Sequence, residues 1–123
     1  MSDELARALI EPEVTLVVAG RRTGTSREAR LWFAHENGLV WLRTDRDADW
    51  YRNLITAGRC RLRFGTVEIE GTLEPVADEA AALRHLVEIW RAKYGVDYVS
   101  DWYVDRGRVP VAIRLLTGGK APT

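Results

Sequence analysis

Charged and apolar residues alternate one by one through residues 59–74, and this pattern constrains the fold more than any other. Before Gly65-Thr66 the charged positions are arginines, and after it they are glutamates. Successive side chains of a strand point to opposite faces of a sheet, so each half is typical of a strand with one buried face. With Gly65-Thr66 as a two-residue turn, Arg63 lies opposite Glu68 and the next arginine–glutamate pair follows in register. The segment is predicted to be an antiparallel hairpin.

Most of the remaining apolar segments also have the character of strands. Val14 to Ala19 is a continuous apolar run, typical of a strand covered on both faces. Asn37-Gly38 suits the positive φ values of a type I′ turn and joins Glu28–His35 to Leu39–Thr44. Val109 to Leu116 is the last strand. Six strands, mostly joined as hairpins, favour a closed or nearly closed antiparallel barrel in a single domain over residues 1–123.

Helices are predicted at three places between the strands. Helical spacing and capping residues give a short helix within residues 1–12, a second between an Asp47 or Asp49 cap and Gly58, and a long one from Asp78 to about Tyr94. Residues 117–123 are expected to form a flexible tail.

The overall charge and cysteine content exclude some classes of protein. Eighteen basic residues balance eighteen acidic ones, giving a formal net charge of zero, so nothing indicates a nucleic-acid partner. Cys60 is the only cysteine, which agrees with a reducing compartment. No signal peptide is recognisable, and no apolar run approaches the ~20 residues that span a bilayer. We expect a cytoplasmic protein without a membrane span.

Four arginines lie within ten residues around a glycine-rich turn. Arg21, Arg22, Arg27 and Arg30 follow the first strand, next to the turn Gly20–Gly24. The guanidinium group presents a planar fork of donors that matches phosphate, and glycine lets backbone N–H groups approach an anion. No Gly-Lys-Ser/Thr ending is present, so the segment is not a P-loop. From the residues alone, an anion site and a solvated basic loop remain equally open.

Nothing in the sequence supports a metal site. His35 and His85 stand alone, and one cysteine cannot complete a recognisable ligand set. Cys60 falls on the apolar face of its strand and is interpreted as a core residue.

Several segments together resemble a known family. The opening Gly20-Arg21-Arg22-Thr23-Gly24, then Arg27 and Leu31-Trp32-Phe33, is similar to that of the deazaflavin-dependent nitroreductases. Trp50-Tyr51-Arg52-Asn53-Leu54 and the closing residues 98–113 agree as well, and the likeness runs from about Val14 to Leu116 in family order. The resemblance implies a protein that is mainly β with α insertions: a split β-barrel (FMN-binding, PNPOx-like) with about six antiparallel strands and one long helix.

The same resemblance implies a function, a cofactor and a set of site residues. The function would be an oxidoreductase that transfers hydride to a small unsaturated, nitro or quinone-like acceptor, with coenzyme F-420 as cofactor, FMN as the alternative, and a homodimer as the expected assembly. By this resemblance, the phosphate would be bound by Arg21, Arg22 and Arg27, in a turn shaped by Thr23 and Gly24. Trp32 would lie close to the ring system, and the cofactor would be flanked by Arg43, Thr44 and Trp50. Trp102 would lie in the substrate pocket, and Tyr98 or Tyr103 would donate a proton or hydrogen bond.

One acidic segment departs from the family pattern. Asp45, Asp47 and Asp49 are expected to repel the phosphate and polyglutamate tail of the deazaflavin coenzyme. Two alternatives to the enzyme therefore stay open: a non-catalytic split-barrel module that binds or carries a flavin or other planar ligand, and a structural domain with an empty pocket.

Overall fold

Seven strands form one sheet, and the computed structural model describes residues 3–95 and 108–116 of the chain. All strand pairs are antiparallel, in the order β2-β1-β5-β6-β7-β4-β3. The elements are α1 (Asp3–Ala8), β1 (Glu13–Ala19), β2 (Ser26–Trp32), β3 (Ala34–Glu36), β4 (Leu39–Asp45), α2 (Asp49–Ala57), β5 (Arg59–Phe64), β6 (Val67–Glu74), α3 (Glu79–Tyr94) and β7 (Arg108–Leu116).

The two ends of the strand order meet at Phe33. β2 and β3 are the outermost strands of the sheet, yet this single residue separates them in the chain, so the sheet curls back on itself as a barrel. The prediction of one strand over Glu28–His35, and hence of six strands, was wrong. At Phe33 the backbone N–H and C=O bond to side chains of α3 instead of to another strand, which interrupts the ladder.

The predicted register of the β5–β6 hairpin and the predicted turn at Asn37-Gly38 are both confirmed. Arg63 pairs with Glu68 and Arg61 with Glu70 across β5 and β6. The ion pairs are partly diagonal, because both Arg63 and Arg61 approach Glu68, at 3.6 and 3.9 Å. In the other turn, Asn37 and Gly38 have φ values of 54° and 78°, which a type I′ turn requires.

The interior of the barrel is apolar and is extended by residues from the first two helices. Leu54 of α2 is fully buried in it, and Ala8 and Leu9 contribute from the end of α1 and the residue after it. Cys60 belongs to this core, as interpreted from the sequence, and burial raises the pKa of its thiol to about 12. The thiol is therefore a packing group.

The long helix α3 packs on the outside of the barrel. Its predicted cap is confirmed, since the Asp78 carboxylate accepts a hydrogen bond from the N–H of Ala81 at 3.1 Å. Leu86, Val87 and Trp90 are buried in a second cluster with Ala34 of β3 and Trp41 of β4. No helix in residues 3–95 is long and apolar enough to cross a membrane.

The start of α2 differs from the prediction of an aspartate cap. Ala48 occupies the N-cap position and makes no side-chain cap bond, while Asp49 is the first residue of the helix. The Asp49 carboxylate instead accepts a hydrogen bond from Arg21. The apolar Ile55 of this helix is 51% exposed, whereas the polar Asn53 is 5% exposed. This buried amide belongs to the site described next.

Candidate functional site

The arginine-rich connection between β1 and β2 is a tight turn closed by its own hydrogen bonds. Gly20 donates to the carbonyl of Thr25, and Gly24 donates to the carbonyl of Gly20, both at 2.8 Å. The hydroxyl of Thr23 accepts a bond from the N–H of Thr25 at 3.2 Å. Gly24 has a φ of 76°, the left-handed region that glycine enters without steric cost. Thr23 and Gly24 thus stand where the turn is shaped.

Arg21 ties this turn to α2. Asn53 Oδ1 accepts a bond from the backbone N–H of Arg21 at 3.0 Å and from its Nη1 at 2.7 Å. The same guanidinium reaches Asp49, with Nη2 at 3.4 Å from the carboxylate. Arg21 is only 20% exposed as a result. The turn and the first part of α2 therefore form the two walls of one cleft.

The cleft has a volume of about 670 Å³ and collects most of the predicted cofactor-binding residues. Both walls contribute charged groups, and Trp50 of α2 adds an aromatic surface that also packs against the barrel core. The residues that line it are Gly20, Arg21, Arg22, Thr23, Arg27, Glu28, Ala29, Asp49, Trp50 and Asn53.

The arginines of the cleft differ in how they are paired. Glu28 is engaged by Arg63 of β5 at 3.2 Å, and Arg21 is engaged by Asp49 and Asn53. Within residues 3–95 and 108–116, by contrast, no carboxylate lies within ion-pair distance of Arg22 or Arg27. Both are exposed. Two cations that can take an external anion thus face the same cleft.

Gly20 brings the Arg27 side chain close to the backbone of the turn. A Cβ added at Gly20 would lie 3.3 Å from Arg27 Nε and 3.2 Å from the carbonyl oxygen of Thr25. Any larger residue would therefore press on the guanidinium. The missing side chain leaves room for this arginine beside the turn.

Three other predicted residues lie away from this cleft. Trp32 is at the far end of β2, stacked on Tyr94 of α3 with ring centres 4.2 Å apart. Arg43 and Thr44 are near the end of β4, where Thr44 is buried and its hydroxyl donates to the carbonyl of Asp45. None of the three lines the cleft. The structure gives Trp32 a packing role between β2 and α3.

Two of the three carboxylates in the acidic segment are paired with arginines. Asp45 forms an ion pair with Arg108 of β7, and Asp49 forms one with Arg21. Arg46, between them, pairs with Glu79 at the start of α3. Among the described residues, Asp47 is the carboxylate of this segment without an ion-pair partner, so the segment has less uncompensated negative charge than its sequence indicates.

Some predicted residues lie outside the described structure, and one lining residue was missed. Tyr98, Trp102 and Tyr103, together with the tail 117–123, fall outside residues 3–95 and 108–116. Asn53 was not singled out as a site residue. Its signal was a short polar side chain in the middle of a helix, four places after Asp49 and on the same helix face.

Solved structures with the same fold include proteins from two mycobacteria. A conserved hypothetical protein from Mycobacterium tuberculosis is 24% identical, with a TM-score of 0.72, covering 94% of this chain and 81% of that one. A FAD and heme binding protein from Mycobacterium smegmatis is 13% identical, with a TM-score of 0.70, covering 94% of this chain and 67% of that one. A structure described as an F420 reductase is 15% identical, with a TM-score of 0.69, covering 95% and 97%. These likenesses show the split-barrel fold.

The family is assigned from the amino-acid sequence. No curated protein matches it. The sequence model of the F420H(2)-dependent quinone reductase family matches residues 3–115. This range is nearly the whole chain and includes every residue that lines the cleft. The chain therefore belongs to the F420H(2)-dependent quinone reductase family of deazaflavin-dependent oxidoreductases.

Proposed function

We propose that this chain is an oxidoreductase that uses coenzyme F-420 and holds its phosphate in the cleft between the arginine turn and α2. The observation that carries the proposal is the pair Arg22 and Arg27. Both side chains are exposed at the cleft and have no carboxylate partner among the described residues. Guanidinium groups bind phosphate through parallel charge-assisted hydrogen bonds.

The charge of the cleft suits a single phosphate group. Three arginines and two carboxylates line it, but Arg21 is paired with Asp49, and Glu28 with Arg63 outside the cleft. The remaining charge comes from two arginines, which can bind the phosphate of coenzyme F-420 or, as the alternative, that of FMN.

The residues of the cleft have binding and orienting roles in this proposal. A reduced deazaflavin supplies the hydride, so the protein has to hold it, orient it and limit the access of water. Arg22 and Arg27 would bind the phosphate, Arg21 would complete the turn, and Trp50 would flank the cofactor with its aromatic face. The acceptor we propose is small and unsaturated, nitro or quinone-like, with Trp102 in its pocket and Tyr98 or Tyr103 as the donor to its oxygen.

The test is to measure binding of F-420, FMN and FAD side by side to the wild-type protein and to two variants. Arg22→Ala/Arg27→Ala is expected to weaken F-420 binding about 100-fold, since each charge-assisted contact contributes about 1.5 kcal/mol or more. Arg30→Ala is the matched control. Arg30 lies on β2, as Arg27 does, but it pairs with Glu13 at 2.9 Å and does not line the cleft. Unchanged affinity in the double variant would remove the proposed site.

Activity assays separate the enzyme from the alternatives. Oxidation of reduced F-420 in the presence of a quinone or nitro acceptor would support the oxidoreductase. Tight binding without oxidation by any acceptor would favour a carrier module, and absence of binding to all three cofactors would favour a structural domain. We further propose that the protein is cytoplasmic and forms a homodimer. Light scattering of the purified protein tests the homodimer.

A further inference from the structure

We infer that Asn53 of α2 is a positioning residue for the phosphate site, acting through Arg21. The inference rests on the proposed function of the cleft and adds to it a residue that does not need to touch the ligand. Asn53 Oδ1 accepts two hydrogen bonds from the same residue, one from the backbone N–H of Arg21 at 3.0 Å and one from its guanidinium at 2.7 Å.

The orientation of the Asn53 amide follows from its partners. Both Arg21 groups can only donate, so the atom that faces them has to be the amide oxygen and not the nitrogen. A single acceptor therefore holds the main chain and the side chain of Arg21 together. Rotation of either is opposed by the other bond.

The hydrogen bonds from Arg21 to Asn53 determine where the turn lies relative to α2, and they do not determine the shape of the turn. The three internal bonds of the turn, from Gly20, Gly24 and Thr25, close the loop on itself. In the described structure, every hydrogen bond from this turn to α2 comes from Arg21. Without them the turn would keep its form but lose its position relative to the opposite wall of the cleft.

Of the two α2 partners of Arg21, Asn53 is the better placed to hold it. Asn53 is 5% exposed, whereas the side chain of Asp49 is 88% exposed and lies at 3.4 Å. Hydrogen bonds shielded from water are stronger than exposed ones, and exposed ion pairs contribute little. Asn53 thus carries most of the attachment.

Arg22 follows Arg21 directly, so its guanidinium takes its starting position from the anchored residue. A binding group that is already in place loses less conformational freedom when the ligand arrives. Removal of the Asn53 acceptor would leave the two arginines present but less ordered. The expected result is weaker phosphate binding with an intact cleft composition.

A double-mutant cycle tests this inference. Asn53→Ala is expected to raise the Kd for coenzyme F-420 about tenfold, and to have almost no further effect in an Arg21→Ala protein, since Asn53 acts through Arg21. The KM for F-420 should rise with little change in kcat. Thr56→Ala is the control on the same helix, because its hydroxyl donates to the carbonyl of Arg52 at 3.0 Å and the residue does not line the cleft.

Two results would overturn the inference: an unchanged Kd in Asn53→Ala, or the same increase in both the wild-type and Arg21→Ala backgrounds. Amide hydrogen exchange of residues 21–24 provides a readout that needs no ligand, and faster exchange in Asn53→Ala than in Thr56→Ala is expected. Failure of the wild-type protein to bind F-420 would instead reject the proposed function, while the exchange rates would still decide whether Asn53 holds the turn.

Discussion

Asp49 has two opposing effects at the cleft. As the first residue of α2, its carboxylate is favourable near the positive end of the helix dipole. At the same time it is the exposed negative charge next to Arg21, where it competes with any anion that the turn attracts. The same side chain therefore stabilises the fold slightly and disfavours the proposed ligand.

Replacement of Asp49 by asparagine should separate these effects. We expect Asp49→Asn to tighten F-420 binding about two- to fivefold, the equivalent of ~0.5–1 kcal/mol at an exposed site. Its free energy of unfolding should fall by about 0.3–1 kcal/mol through the loss of the dipole interaction. Isothermal titration and urea unfolding measure the two quantities, and Asp47→Asn, which does not alter a cleft residue, is the control. Weaker binding in Asp49→Asn would contradict the proposed phosphate position.

Lys93 should give stability a specific pH dependence. Burial lowers the pKa of its ammonium group to about 8, from an ordinary value of 10.5, although the ammonium donates to the carbonyl of Phe33 at 3.0 Å. Between these pH values the unfolded chain keeps a proton that the folded protein has released, so stability rises with pH.

The prediction is a comparison of wild type with Lys93→Met by urea unfolding at several pH values. The wild-type free energy of unfolding, relative to the variant, should be constant below about pH 8 and should increase towards pH 10.5. Taking the difference removes the contribution of the tyrosines, which both proteins share. A difference that stays flat across this interval would mean that Lys93 is not desolvated.

The C-terminal end of α3 holds the barrel closed at the bend between β2 and β3. The hydroxyl of Tyr94 accepts a bond from the N–H of Phe33 at 3.0 Å and donates to the carbonyl of Pro12 at 2.6 Å. Its ring stacks on Trp32. Burial raises the pKa of this hydroxyl to about 12, so it remains a neutral donor.

Tyr94→Phe removes the hydroxyl and keeps the stacking. We expect the free energy of unfolding to fall by about 1–3 kcal/mol, because the N–H of Phe33 loses its partner at a partly buried position. Hydrogen exchange at the Phe33 amide should become faster. Tyr51→Phe is the control, since the structure shows no hydrogen bond for the Tyr51 hydroxyl within the described residues; equal losses in both variants would contradict a specific role for Tyr94.

Elements were predictable from the sequence where their causes are local. The β5–β6 register follows from alternation within residues 59–74, and the Asp78 cap follows from one residue at a helix start. The break at Phe33 was not predictable, since its partner Tyr94 lies 61 residues further along the chain. The Asp49 cap failed for a similar reason, because Arg21, 28 residues earlier, takes the carboxylate.

In the candidate site, too, the residues with a local signal were predictable and those that depend on distant contacts were not. The arginine turn was recognisable because its residues are consecutive, and Trp50 because it begins a stretch that resembles the family. Asn53 lies in the same stretch, but an asparagine within a helix indicates a specific contact only when the residue opposite it is known. Trp32 illustrates the reverse: its place in the resemblance indicated the cofactor, while its stacking on Tyr94 depends on a distant helix.

Across the whole molecule, positive and negative charges are equal in number and many are paired on the surface. The formal net charge is zero, and the arginines of β5 are matched by glutamates of β2 and β6. Long-range attraction of an anion by the molecule as a whole is therefore weak. Attraction should instead be local, confined to the cleft where Arg22 and Arg27 are unpaired among the described residues.

This distribution predicts how binding of F-420 depends on salt. At an ionic strength of 0.1 M charges are screened over about 10 Å, so exposed arginines in direct contact with a phosphate are weakened by added salt. We expect the Kd to rise about three- to tenfold between roughly 0.05 and 0.5 M NaCl, by analogy with phosphate contacts elsewhere. The dependence should become weaker in Arg22→Ala/Arg27→Ala, which loses both arginines that have no carboxylate partner among the described residues, and should persist in Arg30→Ala. A wild-type affinity that does not change with salt would place the phosphate away from these two arginines.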